Sequence, residues 1–248
     1  MQSVGTLLTK DNCSIEYYHY EAKHDKIIII AHGFYNSKDA VLLEKLAESL
    51  LDEYDVFMFD FRGHGKSGGR FTWMSKEEED LISVLNYLDG KYKRIGFIAF
   101  SMGGSVGINV LAHDRRVNSF VCVSAPCDFK KIDYHFWLLS VKDDLMYTLF
   151  TKEGRKGKGV KPGPFWLKKN KPIDKVGEIK IPILYIHGDK DWVIRPWHSK
   201  LLYEKTKSSK KIVMIKNGPH GEYLIKNNKE KFIFETKNWF RETLKEAN

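Results

Sequence analysis

Cysteine is scarce. The three present, Cys13, Cys122 and Cys127, match neither a zinc ligand set nor the disulfide framework of a small secreted domain. There is no run of about 18 apolar residues, which excludes a membrane-spanning helix of the usual kind. The opening stretch, MQSVGTLLTKDN, lacks a basic start followed by an apolar segment, so no signal peptide is expected in it. No Gly/Ser- or Pro-rich linker divides the chain, and no internal repeat is visible. A single domain over residues 1–248 is therefore expected. His, Cys, Asp and Glu nowhere cluster at metal-ligand spacing, so no metal is expected. A reducing, cytoplasmic setting is the simplest for such a chain.

Positive charge is plentiful, with a formal net charge of +9. The lysines are scattered through the whole sequence, which reads as a soluble cationic surface. No nucleic acid and no integral membrane is expected as partner. Hydrophobic residues make up 42% of the chain, enough for a real core. Monomer and homodimer both remain open.

Short apolar runs read as buried strands: KIIIIAHG at 26–33, DVFMFDF at 55–61, RIGFIAFS at 94–101, SFVCVSAP at 119–126, IPILYIHG at 181–188 and KIVMIKN at 211–217. Amphipathic stretches lie between most of them. Residues 37–53 place Val41, Leu42, Leu46 and Leu50 near one face. Residues 75–90 have Ser75 as cap, acids in the first turn and Gly90 as stop. A last helix is expected over 228–245, with Phe232, Phe234, Trp239 and Phe240 facing the core. Two alternating stretches at the start, GTLLTK and CSIEYYHY, read as an antiparallel hairpin. Alternation of strands and helices implies an α/β fold with about eight strands, mostly parallel, covered on both faces.

One region breaks the alternation. Residues 127–178 hold many aromatics followed by KEGRKGKGVKPGPFWLKKNKP, and read as a short cap inserted above the strand ends. Tyr134, Trp137, Phe165 and Trp166, with Phe34, are candidates to line an apolar pocket. Packing of the cap onto the core explains the cap aromatics equally well. The basic run Arg155, Lys156, Lys158, Lys161, Lys168, Lys169 and Lys171 reads first as a solvated loop.

Four local patterns carry chemistry. In GFIAFSMGGSVG a strand ends at Phe100, and Ser101 stands on a sharp turn into a helix. Small residues are needed two before and two after such a serine, and Ala99 and Gly103 stand there. The first helical amide, that of Met102, points back at the hydroxyl as a candidate oxyanion donor. Gly103 and Gly104 can also be read as allowing close helix packing. In IIIIAHGFYNS, His32-Gly33-Phe34 leaves a strand, and the Phe34 amide is the candidate second donor, with His32 bracing the loop. The plainer alternative is an ordinary turn. In YIHGDKDWVIRP, Asp191 is the preferred acid, with Asp189 and Asp128 as alternatives. In KNGPHGEYL, His220 sits in a short loop before the last helix. The chain order of serine, acid and histidine makes it the candidate base.

Together HGF, DFRGHGKSGG, SMGG, HGDKDWV and PHGEY make the sequence resemble the α/β-hydrolases over residues 20 to 245. Small bacterial carboxylesterases of the cinnamoyl and feruloyl esterase type, and serine aminopeptidase-like hydrolases, are the most similar groups. The resemblance implies Ser101 as nucleophile, His220 as base, Asp191 as acid and the amides of Phe34 and Met102 as oxyanion donors. It implies a small-molecule ester as substrate, cleaved without a cofactor. A peptidase, amidase or thioesterase on the same triad is the alternative within enzymes. A catalytically silent ligand-binding module is the alternative outside them. Two residues depart from the common pattern: Ala99 in place of the first elbow glycine, and Pro219 before the histidine.

Overall fold

The computed structural model describes residues 1–132, 150 and 159–245. The runs read as strands form one eight-stranded sheet of order β1-β2-β4-β3-β5-β6-β7-β8. The strands are β1 (Gln2–Leu8), β2 (Ser14–Tyr20), β3 (Lys26–Ala31), β4 (Asp55–Phe59), β5 (Arg94–Phe100), β6 (Ser119–Val123), β7 (Ile183–Gly188) and β8 (Lys210–Ile215). β1 and β2 form the expected antiparallel hairpin, and β2 runs antiparallel to β4. From β4 to β8 every pairing is parallel.

The run of isoleucines in β3 is explained by burial on both sides, since successive side chains of a strand point to opposite faces. Ile27 and Ile29 join a core on one face with Leu81, Leu85 and Val106. Ile28 and Ile30 join the other with Leu43, Leu46 and Phe240. The first face is covered by α2 (Glu77–Leu88) and α3 (Met102–Leu111). The second is covered by α1 (Val41–Leu50) and, late in the chain, α7 (Lys229–Thr243). The short α4 (Pro172–Lys175) and α5 (Trp197–Lys205) flank β7, and α6 (Tyr223–Asn227) leads into α7.

Three local expectations need correction. α1 begins at Val41 and buries Leu43, Leu46, Ala47 and Leu50. Val41 is 60% exposed, because Lys38 and Asp39 just before it are drawn into ion pairs and the helix starts later than expected. Ser75 does not cap α2; its hydroxyl donates to the Lys168 carbonyl (2.8 Å), and Thr72 Oγ1 accepts from the Lys76 amide (2.8 Å). Phe234 is 60% exposed. It lies two residues from Phe232, about 200° around the helix, whereas Trp239 and Phe240 return to the Phe232 face.

The described part of residues 127–178 is tied to the loop after β4. Val160 bridges His64, Lys161 exchanges backbone bonds with Phe71 and Gly63, and Trp73 Nε1 donates to the Gly163 carbonyl (3.1 Å). No helix among the described residues is long and apolar enough to cross a membrane.

Candidate active site

Ser101 follows β5, a strand in the middle of the sheet. Its φ of 49° lies in the left-handed region, where a non-glycine residue costs about 1–3 kcal/mol and is held by its surroundings. The holding is visible on both sides. The Ser101 amide donates to the Val123 carbonyl (2.8 Å). A side chain on Gly103 would meet the His32 carbonyl oxygen at 2.6 Å, so only glycine lets α3 approach the end of β3 this closely. Met102 opens α3, and its amide belongs to the first turn, where no intrahelical acceptor exists.

His220 stands in the loop between β8 and α6. The neighbouring Gly221 amide donates to Ser124 Oγ (3.3 Å) at the end of β6. The Lys190 amide donates to the Gly218 carbonyl (3.0 Å), which joins the acid loop to the histidine loop. Side chains from three loops then meet. His220 Nε2 lies 3.1 Å from Ser101 Oγ, and His220 Nδ1 lies 2.7 Å from Asp191 Oδ2. A carboxylate only accepts, so the proton is on Nδ1 and the Nε2 lone pair faces the hydroxyl.

Asp191 is 1% exposed, yet every approach to its carboxylate is filled by a donor. Oδ1 accepts from the amides of Val193 (3.0 Å) and Ile194 (2.9 Å). Oδ2 accepts from His220 and lies 3.1 Å from His187 Nε2. His187 is itself fixed, with Nε2 2.7 Å from the Ile194 carbonyl and Nδ1 2.6 Å from Ser199 Oγ. Burial alone would raise the Asp191 carboxyl, but the His220 charge and the bonds from both histidines outweigh it. They hold the group well below the usual carboxylate range. Burial likewise opposes charge on His220, but Asp191, helped by Glu222, overcomes it and raises the imidazolium above its ordinary value.

Of the alternative acids, Asp189 is exposed, and Asp128 accepts from the Lys130 amide (3.0 Å) and pairs with Lys171 (3.3 Å). Neither touches His220. His32 braces its loop: its Nε2 accepts from the Phe61 amide (3.0 Å) and its Nδ1 bonds the Gly33 carbonyl (2.7 Å). Burial pulls it down to about 4, so it stays neutral at ordinary pH. Gly33 turns its bare face to Ser101, since a methyl placed there would sit 3.3 Å from Ser101 Cβ. That places the backbone leading to Phe34 beside the hydroxyl.

An apolar pocket opens at Ser101 and Met102. Phe34, Phe71, Met74, Pro126, Phe129, Ile132 and Ile194 line it. Phe165 and Trp166 do not line it; they are 68% and 76% exposed and pack edge to face on each other. Tyr134 and Trp137 lie outside the described residues. His187, Glu222 and most pocket residues were missed in the sequence. The only signal for His187 was its place at the end of a strand, four residues before Asp191. Among the described residues no group of three or more His, Cys, Asp or Glu is arranged to hold a metal.

A model of the alpha/beta hydrolase fold matches residues 26–145. The chain has the α/β-hydrolase fold. An uncharacterised Bacillus subtilis protein, YqkD, is 28% identical over 232 residues, spanning 86% of this chain and 71% of the relative. A caffeoylshikimate esterase of Arabidopsis thaliana is 25% identical over 260 residues, spanning 88% and 78%. Other relatives are matched over less than two thirds of their length, such as Escherichia coli YfhR, 29% identical, with 78% of this chain and 62% of the relative covered. Among solved structures, the Pyrococcus furiosus esterase Pf2001 superposes with a TM-score of 0.82 at 25% identity, covering 99% of this chain and 91% of that one. In this α/β-hydrolase fold, Ser101, Asp191 and His220 leave the carboxyl ends of three parallel strands, where ligands of open α/β sheets bind.

Proposed function

We propose that this protein is a serine hydrolase that cleaves carboxylic esters of small or medium acyl or aryl groups. The reading rests on one observation: an unbroken hydrogen-bonded line runs from Asp191 through His220 to Ser101 Oγ, at the wall of an apolar pocket. The likeness to the Pyrococcus furiosus esterase and to the Arabidopsis thaliana caffeoylshikimate esterase supports esters over other acyl compounds.

His220 Nε2 takes the proton of Ser101 as Oγ attacks the ester carbonyl. The amides of Phe34 and Met102 hold the oxyanion, each worth about 3 kcal/mol in the transition state. His220 then gives its proton to the departing alkoxide, leaving an acyl-enzyme. Water, deprotonated by the same histidine, releases the acid and restores Ser101. Asp191 keeps the imidazole in the right tautomer and stabilises its charged form. Residues 127–178 act as cap, contributing Phe129 and Ile132 to the acyl pocket.

The test is a panel of p-nitrophenyl esters of rising acyl length beside aminoacyl anilides, with labelling by a fluorophosphonate. Esters are turned over and Ser101 is labelled. Ser101→Ala loses the label, and its kcat falls by about a millionfold. Full turnover by that variant would refute the nucleophile. Preference for the anilides would make the protein a peptidase, and absence of label with absence of turnover would make it a binding module.

A further inference from the structure

Glu222 adds its charge to that of Asp191 in raising the His220 imidazolium, but it makes no hydrogen bond in the relay above. It is 9% exposed and stands two residues past His220, at the start of α6. Asn36 Nδ2 donates to its Oε1, tying the loop after β3 to the loop that carries His220. A methyl placed on Gly33 would lie 3.3 Å from Ser101 Cβ and 3.6 Å from Glu222 Oε1. Nucleophile and carboxylate therefore flank the same face of Gly33. No lysine or arginine among the described residues is paired with Glu222.

A negative charge in this place works against the oxyanion that forms beside it. The tie to Asn36 does not need that charge, since a glutamine carbonyl would accept the same bond. The charge thus points to something other than the fold. Glu222 does not line the apolar pocket, which takes the acyl group. The departing oxygen must lie next to His220 Nε2 to receive its proton, and Glu222 is joined to His220 through Gly221 alone.

We propose that Glu222, held by Asn36, forms a leaving-group subsite that accepts a hydrogen bond from a hydroxyl or ammonium group on the alcohol half of the ester. The inference rests on the esterase reading above. The preferred substrate then has an apolar acid and a polar or cationic alcohol.

Three butyrate esters test it: ethyl, 2-hydroxyethyl and 2-(dimethylamino)ethyl, the last protonated at neutral pH. Acid release followed at constant pH gives kcat/KM for each. The wild-type protein favours the two donor-bearing esters over ethyl butyrate by at least about tenfold, the worth of one charged hydrogen bond. In Glu222→Gln, which keeps the volume and the tie to Asn36, the ratio for the ammonium ester drops to about one and that for the hydroxyl ester drops less. Equal ratios in wild type and variant would overturn the subsite, including an equal loss on all three esters. A second measurement needs no variant: 2-(dimethylamino)ethanol inhibits the wild-type protein at lower concentration than 1-butanol, and equal inhibition counts against the proposal. Indifference among the esters in a protein that a fluorophosphonate labels sinks the subsite alone. Absence of both label and turnover sinks the esterase reading with it.

Discussion

Two carboxylates sit buried in loops at the same edge of the sheet, Asp60 after β4 and Asp191 after β7, and they are wired differently. Asp60 accepts from the amides of Lys38 (2.6 Å) and Lys66 (2.9 Å) and pairs with Lys38 Nζ (3.1 Å). Lys38 is fully buried and turns on to Glu16 (2.9 Å). That circuit closes on itself. A side chain on Gly65, whose φ is +48°, would strike Asp60 Oδ2 at 2.2 Å, so the loop is moulded around the acid. Burial raises the Asp60 carboxyl against the pull of Lys38, while Asp191 is driven the other way. The chain of partners from Asp191 ends on a hydroxyl at a pocket. Buried charge alone is therefore no mark of a reactive centre; what matters is where its hydrogen bonds lead.

The sharpest way to break this contrast is to remove each charge in turn. Asp191→Asn lowers kcat by about ten-thousandfold on p-nitrophenyl esters, because the imidazole loses its orienting acceptor. Asp60→Asn has its main effect on stability, about 3–5 kcal/mol in denaturant titrations, because Lys38 is left buried without its one fully buried partner and keeps only Glu16 and Asp39. If Asp60→Asn silenced turnover without lowering stability, the distinction would be lost.

The pH profile sharpens the same contrast with a smaller effect. In the proposed mechanism only neutral His220 accepts the serine proton, and its pKa is raised above the ordinary histidine value. Activity therefore rises with pH through a midpoint above about 6.5, read from kcat/KM of the free protein. In Asp191→Asn the main influence that raises the imidazolium is gone, while burial and the smaller help of Glu222 remain, so the midpoint of the residual activity moves to lower pH. In Asp60→Asn it stays in place.

The smallest effect concerns apolar contacts. Phe71→Ala opens the pocket wall and lowers kcat/KM for longer acyl esters by about 10–100-fold, with less loss on acetate. Trp166→Ala, at an exposed position outside the pocket, leaves both acyl preference and stability within about 0.5 kcal/mol. A matching loss in both variants would mean that the exposed aromatics close over bound substrate.

The fold was legible because strands buried on both faces leave dense apolar runs, and those of β3 and β5 to β7 are of this kind. Ser101, Asp191 and His220 could be picked out as a set because each stands in a short loop whose local chemistry, the glycines and small residues around it, is written next to it in the chain. Glu222 and His187 were opaque for the opposite reason. Their meaning lies in contacts with Asn36, Asp191 and Ser199, far away in sequence. The pocket was opaque in part too: Phe71 and Met74 come from a loop that periodicity does not describe, and Phe165 and Trp166 drew the eye by composition while pointing to solvent. The starting register of α1 was missed because Lys38 leaves the helix for a buried ion pair.

The separation of Ser101 from His220 by 119 residues has a consequence for the life of the chain. During synthesis β3, β5 and α3 are complete long before β8 exists to hold the histidine loop. On the proposed reading, until that edge strand docks the serine has no base and remains an ordinary alcohol. Hydrolytic power is thus acquired only when the sheet is nearly whole, so an unfinished or half-unravelled molecule is chemically harmless. Recovery of turnover during refolding would report the arrival of the final strand rather than the collapse of the core.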